Sequence, residues 1–254
     1  MTEFTVPPVL PFDVIGKIID ILFNDDTKGL QFVKKFSLIC HSFLPLCRKH
    51  IFSLISIKIG GESFKQPDAF GMLLTQNHSI SRYLHKLKIC IRQPDVYHLF
   101  EPTSRLLSRL QSLTISNPSC IHWNDFSVST RNLLLNLIRI PSLTHLDVIS
   151  SFPKSNLFNW TNVKHLSIKA FDIEDNGNEA VYSSVTVKLW TLHISIISPI
   201  SFKFLEEKCS DGRLIIDLTD LEKLSIDLTG AAPIKDIFGK IQRLRDVSVQ
   251  IHGM

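Results

Sequence analysis

The chain has 254 residues, enough for one large domain or for a small one beside a larger one. At 44% apolar and 20% charged it reads as globular, which excludes a disordered chain. Twenty-eight basic residues against 24 acidic ones, with only short basic runs at Lys34-Lys35 and Arg48-Lys49-His50, leave no electrostatic footprint for nucleic acid.

Five scattered cysteines (Cys40, Cys47, Cys90, Cys120, Cys209) form no disulfide framework. No basic and apolar leader opens the chain, and no apolar run approaches ~18 residues, so neither secretion nor a membrane span is expected. A reduced intracellular compartment, cytoplasm and/or nucleus, fits best.

The first elements are helical. In "LPFDVIGKIIDIL" (10–22) apolar residues at 14, 15, 18, 19 and 22 make one wide face of a helix, and Pro11 suits its first turn. The polar "NDDTKG" stops it. A second apolar face runs through Phe32, Val33, Phe36, Ile39, Cys40 and Phe43 at helical spacing, and Pro45 is expected to end or interrupt it. A short third piece leads through Leu46 to Phe52.

After residue 52 the pattern becomes a repeat of the form L-x-x-L-x-I. The copies are "LHKLKI" (84–89), "LQSLTI" (110–115), "LTHLDV" (143–148), "VKHLSI" (163–168), "LWTLHI" (189–194), "LEKLSI" (221–226) and "LRDVSV" (244–249), with "FSLISI" (52–57) as a looser first one. Their central apolar residues recur every 20 to 33 positions. The second half of each copy alternates like a half-buried strand. Segments 68–76, 102–110, 129–138, 200–208 and 234–241 between the copies suit helices. Strand and crossover at this period predict an α/β solenoid with a parallel sheet, in which stacked copies bury what no single copy can. A doubly wound α/β domain is the alternative, and the absence of a regular Asn after each strand leaves it open. Leu87, Leu113, Leu146, Leu166, Leu192, Leu224 and Val247 should form one buried ladder, with an unprotected edge at the last strand.

"LPFDVIGKIIDIL" followed by "FSLICHSFLPLCRKHIF" resembles the F-box, most closely the variant of fungal F-box-like proteins. The family's opening Leu-Pro falls on Leu10-Pro11, and Asp13 replaces its usual Glu. Its helical apolar positions fall on Val14, Ile15, Ile18, Ile19 and Leu22. Its Ser-Leu-Val-Cys-Arg-Ser-Trp-like stretch falls on Ser37 to Phe43, with Phe43 in place of Trp, and its closing Leu-Phe on Ile51-Phe52. Gly16 inside the first helix costs about 1 kcal/mol relative to Ala. The irregular repeats resemble the leucine-rich half of the same family.

The resemblance implies an F-box-like domain at 8–52 and an irregular leucine-rich-repeat-like domain at 53–254. It implies a non-enzymatic substrate-recognition adaptor of an SCF-type cullin–RING ubiquitin ligase, whose F-box binds the Skp-type adaptor while the repeats hold a protein substrate. Leu10, Pro11, Val14, Ile15, Ile18, Leu22, Leu38, Cys40 and Phe43 are the expected adaptor contacts. Two alternatives stand beside it: a repeat scaffold that binds a partner without any ligase, and a helical cap that closes the solenoid.

No phosphate loop, no G-x-S-x-G elbow and no His-Glu-x-x-His occurs, so no catalytic residue and no cofactor is assigned. Cys40, Cys47 and His50 invite a zinc reading, but helical spacing makes buried thiols the better one. On the sheet's outward, concave face the row before the central leucine reads Lys86, Ser112, His145, His165, Thr191, Lys223, Asp246. The row after it reads Lys88, Thr114, Asp147, Ser167, His193, Ser225, Ser248. Lys86, Lys88, His145, Asp147, His165, Lys169 and His193 are the candidate substrate contacts, suited to an acidic or phosphorylated segment whose binding strengthens from about pH 7.5 to 6. A merely solvated polar face is the plain alternative, and a tri-histidine metal site lacks an arguable second layer of ligands.

Overall fold

The structure, a computed structural model, describes residues 11–23, 27–39, 41–60, 66–94, 104–149, 162–170, 186–196, 205, 208, 212–229 and 241–252. The chain divides into two compact units, Met1–Leu54 and Ile55–Met254.

The first unit holds α1 (Phe12–Phe23), α2 (Thr27–Phe36) and α3 (Leu44–Ile51), with a 3-10 turn at His41–Phe43. Pro11 lies just outside α1, and its carbonyl accepts the first helical bonds from the amides of Val14 and Ile15. Asp13 in the first turn complements the positive end of the helix dipole. The three helices close on Ile19, Val33 and Cys47, one from each, with Ile15, Phe23, Phe36, Phe43, Leu46 and Ile51 packed around them. Asp20 accepts from His50 at 2.7 Å and from Lys49 at 3.3 Å, tying α1 to α3.

The expected second helix does not run to Phe43. It stops at Phe36, where the amides of Leu38 and Ile39 bond back only three residues and Ser37 Oγ donates to the Lys34 carbonyl. Pro45 does not end a helix either: it sits in the first turn of α3, where a missing N–H costs nothing.

The second unit is built on an open sheet of eight strands in the order β1-β2-β3-β4-β5-β7-β9-β10. These are β1 (Leu54–Ile59), β2 (Lys86–Ile91), β3 (Ser112–Ser116), β4 (His145–Ile149), β5 (His165–Ala170), β7 (Thr191–Ile196), β9 (Lys223–Thr229) and β10 (Asp246–His252). From β2 to β10 every neighbouring pair is parallel. β6 (Val187–Lys188) and β8 (Ile216–Asp217) form a separate parallel pair. Among the described residues the same unit holds three α-helices: α4 (Gln66–Gln76), α5 (His78–Ser81) and α6 (Val128–Ile138). Ser127 caps α6 by accepting from the amide of Thr130.

The register is the one the repeat predicts. Leu87, Leu113, Leu146, Leu166, Leu192, Leu224 and Val247 stand opposite one another strand by strand. The six leucines are at most 2% exposed. Val247 departs from the expected buried ladder at 47% exposed, because β10 has β9 on one side and no strand beyond it among the described residues. In the first six copies the first position (Leu84, Leu110, Leu143, Val163, Leu189, Leu221) and the last (Ile89, Ile115, Val148, Ile168, Ile194, Ile226) are buried too, whereas in the seventh Val249 is exposed.

A backbone device keeps the rows aligned although the crossovers differ in length. The residue after the first leucine of each copy uses one carbonyl to accept two amides of the next copy. The His85 carbonyl takes the amides of Gln111 and Ser112, and Gln111 takes those of Thr144 and His145. Thr144, Lys164, Trp190 and Glu222 continue the series to Asp246. Each strand is thus pinned at its first residue to the strand before it, whatever the chain does in between.

Two crossover expectations change. Segment 102–110 forms only a 3-10 turn at Ser104–Leu107 among the described residues, since β3 must begin at Ser112 and the tighter helix rises faster per residue. The Asn expected to be missing after the strands is present once. Asn117 follows β3, is buried, donates Nδ2 to the Ile121 carbonyl at 2.7 Å and accepts the Ile121 amide on Oδ1. Segments 200–208 and 234–241 lie outside the described residues apart from Leu205, Lys208 and Ile241.

Candidate functional site

Two surfaces carry the residues singled out by the sequence, one on each unit. In the helical unit the wide face of α1 splits. Ile19 is in the core, Ile15 and Val14 are half-buried, and Ile18 is exposed. Phe12, Ile18, Ile21, Phe32, Leu38 and Ile39 are between 43 and 87% exposed, Leu38 most of all. Four phenylalanine rings form a row through the unit: Phe32 on Phe36 at 5.8 Å, Phe36 on Phe43 at 4.9 Å, and Phe12 near Phe43 at 6.3 Å.

Of the expected adaptor contacts, Pro11, Ile18 and Leu38 are exposed. Ile15 and Phe43 are drawn against the unit's own core, which takes much of their surface away from any partner. Leu10, Cys40 and the side chain of Leu22 lie outside the described residues. Ile21 and Phe12 were not anticipated. Ile21 falls off the 14-15-18-19-22 stripe, so a reading that looks for one periodic face passes over it. The zinc reading loses its centre, because Cys47 is buried among Ile19 and Val33, and burial raises its thiol pKa.

On the sheet, strand pairing brings the two outward rows together as expected. His145 stands opposite His165, and Asp147 opposite Ser167, which in turn stands opposite His193. The two imidazoles stack at 4.1 Å between ring centres, tilted by 20°. Each has its Nδ1 engaged by a hydroxyl at 2.9 Å, Thr144 for His145 and Thr191 for His165. Trp190 meets His165 edge-on at 6.1 Å, and Lys164 Nζ lies 4.2 Å from the centre of the indole. Lys86, Lys88 and Lys169 are exposed. One carboxylate oxygen of Asp147 is covered and has no hydrogen-bond partner.

The electrostatics correct the expected pH window. His145 is held below the usual imidazole range by burial and by Lys86, and His165 by burial, by His145 and by Lys164. His193 is lowered by burial and Lys169, against the pull of Asp227 and Asp147. All three therefore favour the neutral ring more than a free imidazole does, and their protonation is displaced to more acid pH than the expected window of 7.5 to 6. Among the described residues no group of three or more His, Cys, Asp or Glu could hold a metal ion. The stacked geometry gives a reason, since parallel rings cannot aim their in-plane lone pairs at one ion.

No helix among the described residues is long and apolar enough to cross a membrane. Comparison with family models, with curated proteins and with solved structures returns no match.

Proposed function

We propose that this chain is a non-enzymatic substrate-recognition adaptor of an SCF-type cullin–RING ubiquitin ligase. Its helical unit would dock on the Skp-type adaptor as an F-box does, and its stacked L-x-x-L-x-I copies would hold a protein substrate. One observation carries the reading. Among the described residues, six of the twelve large apolar side chains that stand exposed fall within residues 12–39, in the stretch that resembles the F-box. A small helical unit with its own closed core has no folding use for that surface, and concentrated apolar exposure marks a protein-binding face. The substrate would lie on the outward face at Lys86, Lys88, His145, His165, Lys169 and His193, an arrangement suited to an acidic or phosphorylated segment. The chain would supply proximity alone: a bound substrate is held at high effective concentration beside the ligase's charged enzyme.

The test is titration calorimetry of the purified chain against a Skp-type adaptor. Leu38→Asp and Ile21→Asp should each weaken binding by about 30-fold or more, the cost of losing an anchor of ~2 kcal/mol. Both sites are exposed, so circular dichroism should show an unchanged fold. No binding by the unaltered chain, or equal binding by both variants, would sink the assignment.

A further inference from the structure

We propose that Ser37 is a phosphorylation site, and that a phosphate on it closes the exposed apolar face beside it to a protein partner. The inference rests on the docking reading above for the partner that is turned away; the modification itself is argued from this stretch alone.

In "KKFSL" (34–38) the serine follows lysines at its −3 and −2 positions and precedes a leucine. No other Ser or Thr of the chain has Lys or Arg at both of those places. Kinases select their serines in part by charge pattern, and two cations just upstream suit an acidic substrate groove. Lys34 and Lys35 are both exposed in the last turn of α2. They also complement the negative end of the helix dipole, a role that asks nothing of residue 37.

The backbone presents the serine. α2 ends at Phe36, and the amides of Leu38 and Ile39 bond back only three residues, so Ser37 opens a turn. Leu38 and Ile39 beyond it are 87 and 72% exposed. The Ser37 hydroxyl donates to the Lys34 carbonyl at 2.7 Å, at the surface. That carbonyl lies at the open end of a helix, where water can take the place of the hydroxyl. The fold therefore loses little when Ser37 Oγ ceases to be a donor.

The co-reactants are ATP and a serine kinase that selects basic residues. Ser37 Oγ bonds to the γ-phosphorus as that phosphorus leaves the β–γ bridging oxygen, ADP departs, and the hydroxyl proton passes to the kinase's catalytic carboxylate. The product carries about −1.5 to −2 charges at pH 7. In water, Lys34 and Lys35 are at hand to balance it. A partner that buries Leu38 must strip water from this dianion one residue away, and a charge buried without a matched partner costs more than the leucine returns. The modification thus acts on docking and not on folding.

The test uses the 254-residue chain, a serine kinase selective for basic residues, and Mg-ATP. Mass spectrometry should find a phosphoryl group on Ser37, added more slowly to the K34A/K35A double variant and absent from that position in S37A. In titration calorimetry the modified chain should bind a Skp-type adaptor on the order of 100-fold more weakly than the parent, or worse. Phosphatase should restore the affinity, and S37A treated in the same way should bind like the parent. If S37A does not fold, the phosphatase-treated parent is the control. Circular dichroism of the modified chain should match that of the parent. A Ser37 that takes no phosphate overturns the proposal. So does a modified chain that binds like the parent, or one that loses its helical signal, since the effect would then be unfolding. An unmodified chain that does not bind the adaptor removes the ligase reading instead, and the mass spectrum still decides whether Ser37 is a phosphate acceptor.

Discussion

Leu166 and Val247 occupy the same row of the same sheet, so truncating each measures what the row contributes in two settings. Leu166 lies on β5 between Leu146 and Leu192 and is 2% exposed. Leu166→Ala removes three carbons from a closed interior. At ~0.8 kcal/mol per buried methylene the transfer part is about 2.4 kcal/mol, and the cavity left behind carries the total toward 3–5 kcal/mol. Val247→Ala removes two carbons, about 1.6 kcal/mol if fully buried. The side chain is 47% exposed, so roughly half of that applies, and an open site leaves no cavity. The expected cost is under about 1 kcal/mol. Urea unfolding followed by circular dichroism, with equal slopes for parent and variants, reads both values. A Leu166→Ala cost below about 1 kcal/mol, or a Val247→Ala cost as large as that of Leu166→Ala, would refute the reasoning that burial in this row, and not strand pairing as such, holds the sheet together.

Gly16→Ala should stabilise the helical unit by about 0.5–1 kcal/mol in a thermal melt, because an added Cβ meets only Leu46 Cδ2 at 3.8 Å while the helix gains propensity. Gly60→Ala should destabilise the sheet unit by about 1–3 kcal/mol, since φ is +91° and the added carbon would lie 2.8 Å from Gln93 Cγ; urea midpoints would show it. Stability should fall as pH drops below 6.5, because His50, His145, His165 and His193 all have lowered pKa values, so the unfolded chain binds more protons there and acid favours it. A urea midpoint that stays level from pH 7 to 5 would contradict this.

The sheet could be read from the sequence because three apolar positions per copy recur often enough to overcome uneven spacing. What holds the copies in register could not, since the carbonyl ladder from His85 to Glu222 uses main-chain groups that any residue supplies. The end of α2 was hidden for a related reason. Phe36, Ile39 and Phe43 keep helical spacing although the backbone turns at 37–39 and is a 3-10 turn at His41–Phe43, and periodicity counts side chains, not hydrogen bonds. For the candidate surfaces, apolar pattern marked α1 as a face that needs covering, but whether Ile15 or Ile18 is the covered one depends on where α2 and α3 lie. The pairing of His145 with His165 followed from register alone. Their ring stacking and their reluctance to take a proton depend on burial and on Lys86 and Lys164, which a row of letters does not contain.

With those imidazoles held toward the neutral form, the positive charge of the outward face rests on its lysines: Lys58, Lys86, Lys88, Lys169 and Lys223, with Asp147 set among them. An acidic segment docked there would be held by ion pairs to those lysines. Its affinity should fall with added salt, as that of exposed ion pairs does. Below pH 6.5 two effects meet at the same rings. Protonation of His145, His165 and His193 adds donors for the anion, and it also costs the fold stability, because the lowered pKa values show that the folded state resists the proton. Linkage joins the two. A ligand that binds the protonated rings more tightly raises their pKa, so the same ligand must return part of the stability that acid removes. An anionic peptide that docks on this face should therefore protect the chain against acid unfolding more at pH 5.5 than at pH 7.5, whereas one bound elsewhere should protect equally at both. The difference in urea midpoint with and without peptide at the two pH values distinguishes them, and a protection that does not grow on acidification removes the histidine rows from the recognition surface.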